Sequence, residues 1–206
     1  MNRKRLTRAD SRDQTIQRLL RAARELIAKK GFGDTTLEDI VEEASYTRGA
    51  FYSNFGSKAD LFIELLRRDH HATNEQLRAM RNDSLPVEPI QRCILALHDQ
   101  IYRDDESFMS WIEARILAAR DAKFRIKLDV LFAQRYTQVA ELIDYFYGRA
   151  GMTPPLASTA LAFCFSSFFE GVKLATLSSP GSVGSEGAES MLTPFVDLLT
   201  GTAHAE

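Results

Sequence analysis

Apolar residues recur along this chain at helical spacing, and no stretch alternates as a half-buried strand would. The first helical run carries Ile16, Leu19, Leu20, Ala23, Leu26 and Ile27 on one face. Ser11-Arg12-Asp13-Gln14 ahead of it has the form of a capping box. Lys29-Lys30-Gly31 behind it puts two cations in the last turn and a glycine suited to a left-handed C-terminal cap. A short second helix is predicted over Thr36–Ala44, opened by Thr35 or Thr36. Thr35 with Glu38 fits a capping box, and Leu37, Ile40, Val41 and Ala44 form the apolar stripe. Ser45-Tyr46 is a tight break. Thr47 caps a third helix through Phe55, and Gly56 ends it. Ser57 with Asp60 caps a long fourth helix reaching to about Met80.

Five further helices are predicted: Glu88–Arg103, Asp105–Ala119, Ala122–Gly148, Leu156–Leu177 and Glu186–Thr200. Breaks lie at Asn82–Pro89, at Gly148–Pro155 and in the flexible Ser178–Gly187 run. The expected fold is all-α with about nine helices: a three-helix N-terminal head over residues 1–60 and a helical domain over 61–206. The composition, 45% apolar and 26% charged over 206 residues, is that of a globular protein and not of a disordered chain. The longest strictly apolar run, Ala160–Phe165, is far short of the ~20 residues of a membrane span, so no membrane association is expected. The basic N-terminus (Arg3, Lys4, Arg5, Arg8) has no apolar stretch behind it and does not read as a secretory signal. Cys93 and Cys164 sit in apolar helical patterns and read as reduced core residues of a cytoplasmic protein.

The net charge of −2 hides an asymmetry. Residues 1–58 carry 12 Lys and Arg against 8 Asp and Glu, and the remainder carries 14 against 20. A basic head on an acidic body suits a polyanionic partner for the head, although a segment of this charge is also common by chance. The second and third helices, joined by a short break, form a helix-turn-helix. In such a unit the second helix enters the major groove. Arg48 stands at its start, where a guanidinium can take guanine O6 and N7 together. Gly49 leaves room for close approach. Tyr52, Ser53 and Asn54 follow one turn later. Thr36, Thr47 and Lys58 stand at helix starts, where backbone N–H groups favour phosphate. Thr36 and Thr47 also read as plain caps, Lys58 as a solvated charge, and Phe51 and Phe55 as core.

The run from Thr35 to Lys58 closely resembles the signature of TetR/AcrR-type transcriptional regulators. That signature has a Thr pair, Asp-Ile-Ala, an Ala-Gly-Val-Ser turn, a Gly-x-x-Tyr-x-x-Phe recognition helix and a Lys. Asp39, Ile40, Ala44, Gly49, Tyr52, Phe55 and Lys58 match it, and Ala23–Phe32 resembles the family's first helix with its Gly-Phe stop. Ser45 stands where the turn glycine is usual, Tyr46 where valine is, and Asn54 where histidine is. The resemblance covers about residues 11–66. It implies a cytoplasmic homodimer, nucleoid-associated when bound, that grips a palindromic operator. Most such proteins are repressors released by a small effector held in the C-terminal helices.

Within those helices the resemblance points to Trp111, Tyr136 and Phe163 as effector-pocket residues and to an apolar or aromatic effector. Core packing is the competing reading at each position. It points to Phe165, Phe168, Phe169, Val172, Phe195 and Leu199 as the dimer seam on the last two helices, against an intramolecular core. Gly171 would allow close helix approach. No H-E-x-x-H, P-loop, G-x-S-x-G or C-x-x-C motif is present, so neither catalysis nor a cofactor is expected. His70 and His98 read as surface or capping residues, with a metal role left open. The alternative function is a helical ligand-binding or adaptor protein whose helix-turn-helix does not read DNA.

Overall fold

The computed structural model describes residues 8–82, 89–181 and 185–200. Their helices are α1 (Arg8–Asp34), α2 (Leu37–Glu43), α3 (Arg48–Tyr52), α4 (Lys58–Asn82), α5 (Ile90–Ile101), α6 (Asp105–Arg120), α7 (Ala122–Ala150), α8 (Ser158–Ser178) and α9 (Ser185–Thr200). No strand occurs among the described residues. The basic arm, residues 3–7, lies outside them.

Most boundaries fall within two residues of those predicted, because capping residues mark them. Thr47 accepts from Ala50 N at 3.2 Å and opens α3. Ser57 accepts from Asp60 N at 3.1 Å and donates to the Asp60 carboxylate at 2.8 Å, opening α4. Four local expectations are corrected. α3 ends at Tyr52, with Ser53 as its cap, and not at Phe55. Ser11 is inside α1, which already begins at Arg8, so its capping box is unused. The capping box of α2 is Thr36 with Asp39, while the buried Thr35 hydroxyl donates to Gly31 O at 2.7 Å. Gly31 does have positive φ, but its ψ of 161° is extended, so it kinks α1 instead of capping it in the left-handed helical region.

The chain folds as two compact units whose division does not follow residue 60. The first takes residues up to His70 together with Asp104–Val130, and the second takes His71–Arg103 and the residues from Leu131 onward. The reason is that α6 packs along α1, which brings a later segment into the N-terminal unit. In this first unit Leu19, Ala23, Ile27, Ile40, Phe51, Leu61, Phe62, Leu65 and Leu66 are fully buried. Each of the Leu, Ile and Phe side chains contributes about 1.5–3 kcal/mol. Arg24 of α1 forms a two-pronged ion pair with the buried Asp69 of α4, and Ser107 of α6 donates to the same carboxylate at 3.3 Å. Burial nevertheless pushes the Asp69 carboxyl up, against the pull of Arg24.

In the second unit α9 packs on α5 and α8. Ile94, Ile143, Tyr147, Leu161, Phe165, Phe169 and Val196 form its interior. The Tyr102 hydroxyl donates to Ser166 O at 3.3 Å, and the Tyr147 hydroxyl to Thr200 O at 3.4 Å. Cys93 and Cys164 are half-buried and not deep in the core. α8 is long and apolar enough to cross a membrane, and only 28% of its apolar window is buried.

Candidate nucleic-acid interface

α2 ends in a two-bond turn. Ser45 N donates to Glu42 O at 2.9 Å and Tyr46 N to Val41 O at 2.8 Å, the paired bonds of a Schellman stop. That stop needs a left-handed residue, and Ser45 takes the role at φ 57°. The Ser-for-Gly departure therefore leaves the turn geometry intact, with a non-glycine residue in a strained backbone region. Thr47 then starts α3, whose Phe51 is wholly buried with its ring tilted against Phe55 at 5.6 Å.

With Phe51 inward, the opposite face of α3 is open. Thr47, Arg48, Gly49, Tyr52 and Ser53 are all exposed, Tyr52 to 53%. Thr36, at the start of α2, is exposed as well. A Cβ built at Gly49 would meet only Thr47 Oγ1, at 3.7 Å, and its φ is not positive. Nothing in the chain requires glycine there, although glycine in a helix is unfavourable by about 0.5–1 kcal/mol relative to alanine.

Lys58, Asn54 and Ser53 are engaged within the chain, as are Thr36 and Thr47 through their caps and Arg48 through an ion pair. Lys58 is not a solvated charge. Its Nζ donates to Phe32 O at 2.7 Å and to Thr35 O at 2.5 Å, and lies 4.1 Å from the Phe32 ring centre. Burial lowers its pKa, partly offset by Asp39 and Asp34. The ammonium is a clasp on the α1–α2 connection. Asn54 accepts from Arg12 Nε at 3.1 Å and donates to Ala50 O at 2.8 Å, so both ends of its amide are used. Ser53 Oγ donates to Gly49 O at 2.8 Å. The sequence reading also missed Glu38, whose carboxylate pairs with Arg48 Nη1 at 2.9 Å. The spacing of charges on α2 and α3 was the available signal.

Phe32 joins this head to the rest of the first unit. Its N–H donates to Glu113 of α6 at 3.0 Å, and its carbonyl is held by Lys58 of α4. Its ring stacks on Phe62 at 4.9 Å and reaches Phe124 of α7 at 6.4 Å. Asp39, paired with Lys30 at 2.6 Å and bonded to Thr36, is held well below the usual carboxylate range, with the Lys30 hydrogen bond the largest cause.

A model of bacterial regulatory proteins of the tetR family matches residues 19–65, the segment that holds this head. Residues 19–65 are thus a TetR-family helix-turn-helix segment. It is 33% identical over 91 residues to the transcriptional regulator TtgR of Pseudomonas putida, a match covering 44% of this chain and 42% of that one. It is 26% identical over 151 residues to the transcriptional repressor AcnR of Corynebacterium efficiens, covering 65% and 80%. Its fold resembles that of a Saccharomonospora viridis transcriptional regulator solved with choline. The TM-score is 0.75 at 18% identity, over 90% of this chain and 96% of that one.

The predicted effector residues fall in both units. Trp111 is buried in the first unit, while Tyr136 and Phe163 belong to the second and meet edge-on at 5.8 Å. Phe163 is 57% exposed. The second unit has a groove of about 350 Å³ between α4 and α7, walled by Arg78, Arg81, Gln134, Gln138 and Glu141 over Leu77.

The predicted dimer residues separate into two sets. Phe165 and Phe169 are core residues stacked on each other at 5.9 Å, with Phe169 against His98 at 4.6 Å. Phe168 and Phe195 stack face to face, and Val172 and Leu199 are half-buried. The outward apolar residues are Phe163, Leu174 and Leu177 on α8, and Met191 and Leu198 on α9. No His/Cys/Asp/Glu group suited to a metal occurs among the described residues.

Proposed function

We propose that this regulator is a homodimeric repressor that reads a palindromic operator through α3 and is released by a small effector. The open face of α3 carries the DNA-reading part, and Gly49 above all. A glycine that the chain does not need, in a helix it weakens, fits a requirement imposed by close approach to DNA. In this reading Arg48 reads a base edge, Thr36, Thr47 and Tyr52 contact phosphate, and Gly49 lets the helix seat deeply. Ser53, Asn54 and Lys58 support the helix and its neighbours. The boundary at residue 60 keeps a functional sense as the end of the reading head.

The outward stripe of α8 and α9 supports the dimer. Phe163, Leu174 and Leu177 recur on one face of α8, and Gly171 sits on that helix with nothing within 4 Å of a built Cβ. A two-fold axis through such a stripe would set two reading heads on two half-sites. The relatives' names support repression and effector binding: AcnR is a repressor, and the Saccharomonospora regulator was solved with choline. The α4–α7 groove, with Leu77, Ala133 and Leu142 beside its arginines and Glu141, suits an apolar or aromatic effector that also carries a charged or polar group.

Arg48→Ala tests the reading. Binding-site selection should show one base-pair position per half-site losing its preference, with specific affinity weakened by ~1–3 kcal/mol. An unchanged preference matrix would remove Arg48 from the reading.

A further inference from the structure

Arg48 and Glu38 form an ion pair on a surface where a carboxylate is out of place. Both side chains are open to solvent, at 63% and 59%. Such exposed pairs do little for stability. Glu38 also stands in the first turn of α2, beside the reading face, where its negative charge opposes an approaching phosphate backbone. Arg48 is thus held by a group of its own chain.

We infer that Glu38 is a specificity-determining residue, one that holds Arg48 off the phosphates and leaves it for a guanine edge. The inference rests on the reading that Arg48 contacts a base. On DNA of arbitrary sequence, a guanidinium gains most by moving to the nearest phosphate, which carries no sequence information. Glu38 competes for the guanidinium as an anion already in place, and its charge repels the phosphate. A guanine offers two acceptors, O6 and N7, in the geometry of the guanidinium fork. That contact carries no negative charge and can form beside Glu38, whereas a phosphate must approach against the carboxylate's repulsion. Specificity is a difference of affinities, and Glu38 lowers the unwanted one.

The test compares wild type, Glu38→Gln, Arg48→Ala and the double variant. Fluorescence anisotropy on the selected operator and on a scrambled duplex across salt concentrations gives the affinities, and binding-site selection gives the base preferences. Glu38→Gln is isosteric at an exposed site, and Glu38→Ala serves as a second version with unchanged helix content as the control. Glu38→Gln should tighten the scrambled duplex by about 3- to 10-fold, steepen its log K against log salt slope by up to about 1, and tighten the operator less. The operator-to-scrambled ratio therefore falls. In the Arg48→Ala background, the same substitution should leave that ratio unchanged. Equal tightening on both duplexes, or the same fall in ratio without Arg48, would overturn the inference and leave Glu38 a general repulsive charge. Arg48→Ala alone decides the underlying reading. If it relaxes one base position while Glu38→Gln moves nothing, only the Glu38 inference fails. If it alters no base position, both fail.

Discussion

Ser45 and Gly49 sit four residues apart and use backbone freedom in opposite ways. Ser45 holds a left-handed conformation that a glycine would hold without strain. Ser45→Gly should therefore stabilise the protein by about 1 kcal/mol in a denaturant melt, and no change would mean that the turn is unstrained. Gly49 is helical and has room for a methyl group. Gly49→Ala should leave the fold intact or raise its stability by about 0.5–1 kcal/mol, yet weaken operator binding. Full operator affinity in that variant would show that DNA does not approach the helix there. The sequence made the turn legible, because two short amphipathic runs flank Ser45-Tyr46. It could not show that Lys58 and Asn54 were already committed. Their partners are backbone carbonyls and Arg12, which lie 4 to 42 residues away in sequence.

Between α1 and α4 the connection is held by charges. Lys58→Met leaves two carbonyls without their ammonium and should cost about 1–2 kcal/mol of stability. The salt slope of DNA binding should stay at its wild-type value, because the ammonium faces inward. A slope smaller by about 1 would restore Lys58 as a phosphate contact. Asp39 and Asp60 are both held below the ordinary 3.8, Asp39 chiefly by Lys30 and Asp60 chiefly by Lys127 and Ser57. A depressed folded-state value favours the ionised native form. Their contribution is thus complete above about pH 4 and lost as pH falls through the lower folded-state values. Melting temperature should drop below pH 4, and Asp39→Asn with Asp60→Asn should flatten that part of the profile. An unchanged profile would mean that neither pair contributes. Helix ends were legible where caps were unambiguous, as at Thr47 and Ser57. They were misread where two candidates adjoined, as at Thr35 and Thr36. The face of α8 was not legible, because Phe165, Phe169 and Val172 form one apolar stripe and Phe163, Leu174 and Leu177 another. Periodicity alone does not say which of two apolar faces turns inward.

For the assembled regulator, the outward α8–α9 stripe predicts a dimer that breaks without unfolding. Leu198, 66% exposed, can be changed to Glu at little expense to the fold. Leu198→Glu with Met191→Glu should sediment as a monomer with native helix content and lose about a hundredfold or more in operator affinity, as a second linked site is given up. A dimer that persists would move the interface elsewhere. The family and its helical plan were legible from the α1–α4 segment, because a helix-turn-helix has strict local spacing. The effector site was not, because a pocket depends on distant helices and aromatic residues serve a core equally well. The claim beneath all of this is that α3 reads DNA sequence. Selection of random or genomic duplexes by the purified wild-type protein tests it most directly. The account predicts enrichment of one inverted repeat, with half-site centres about 34–36 Å apart or a multiple of that, and binding at least about a thousandfold tighter than to scrambled DNA. Retention of duplexes with no shared sequence, or of none at all, would contradict it.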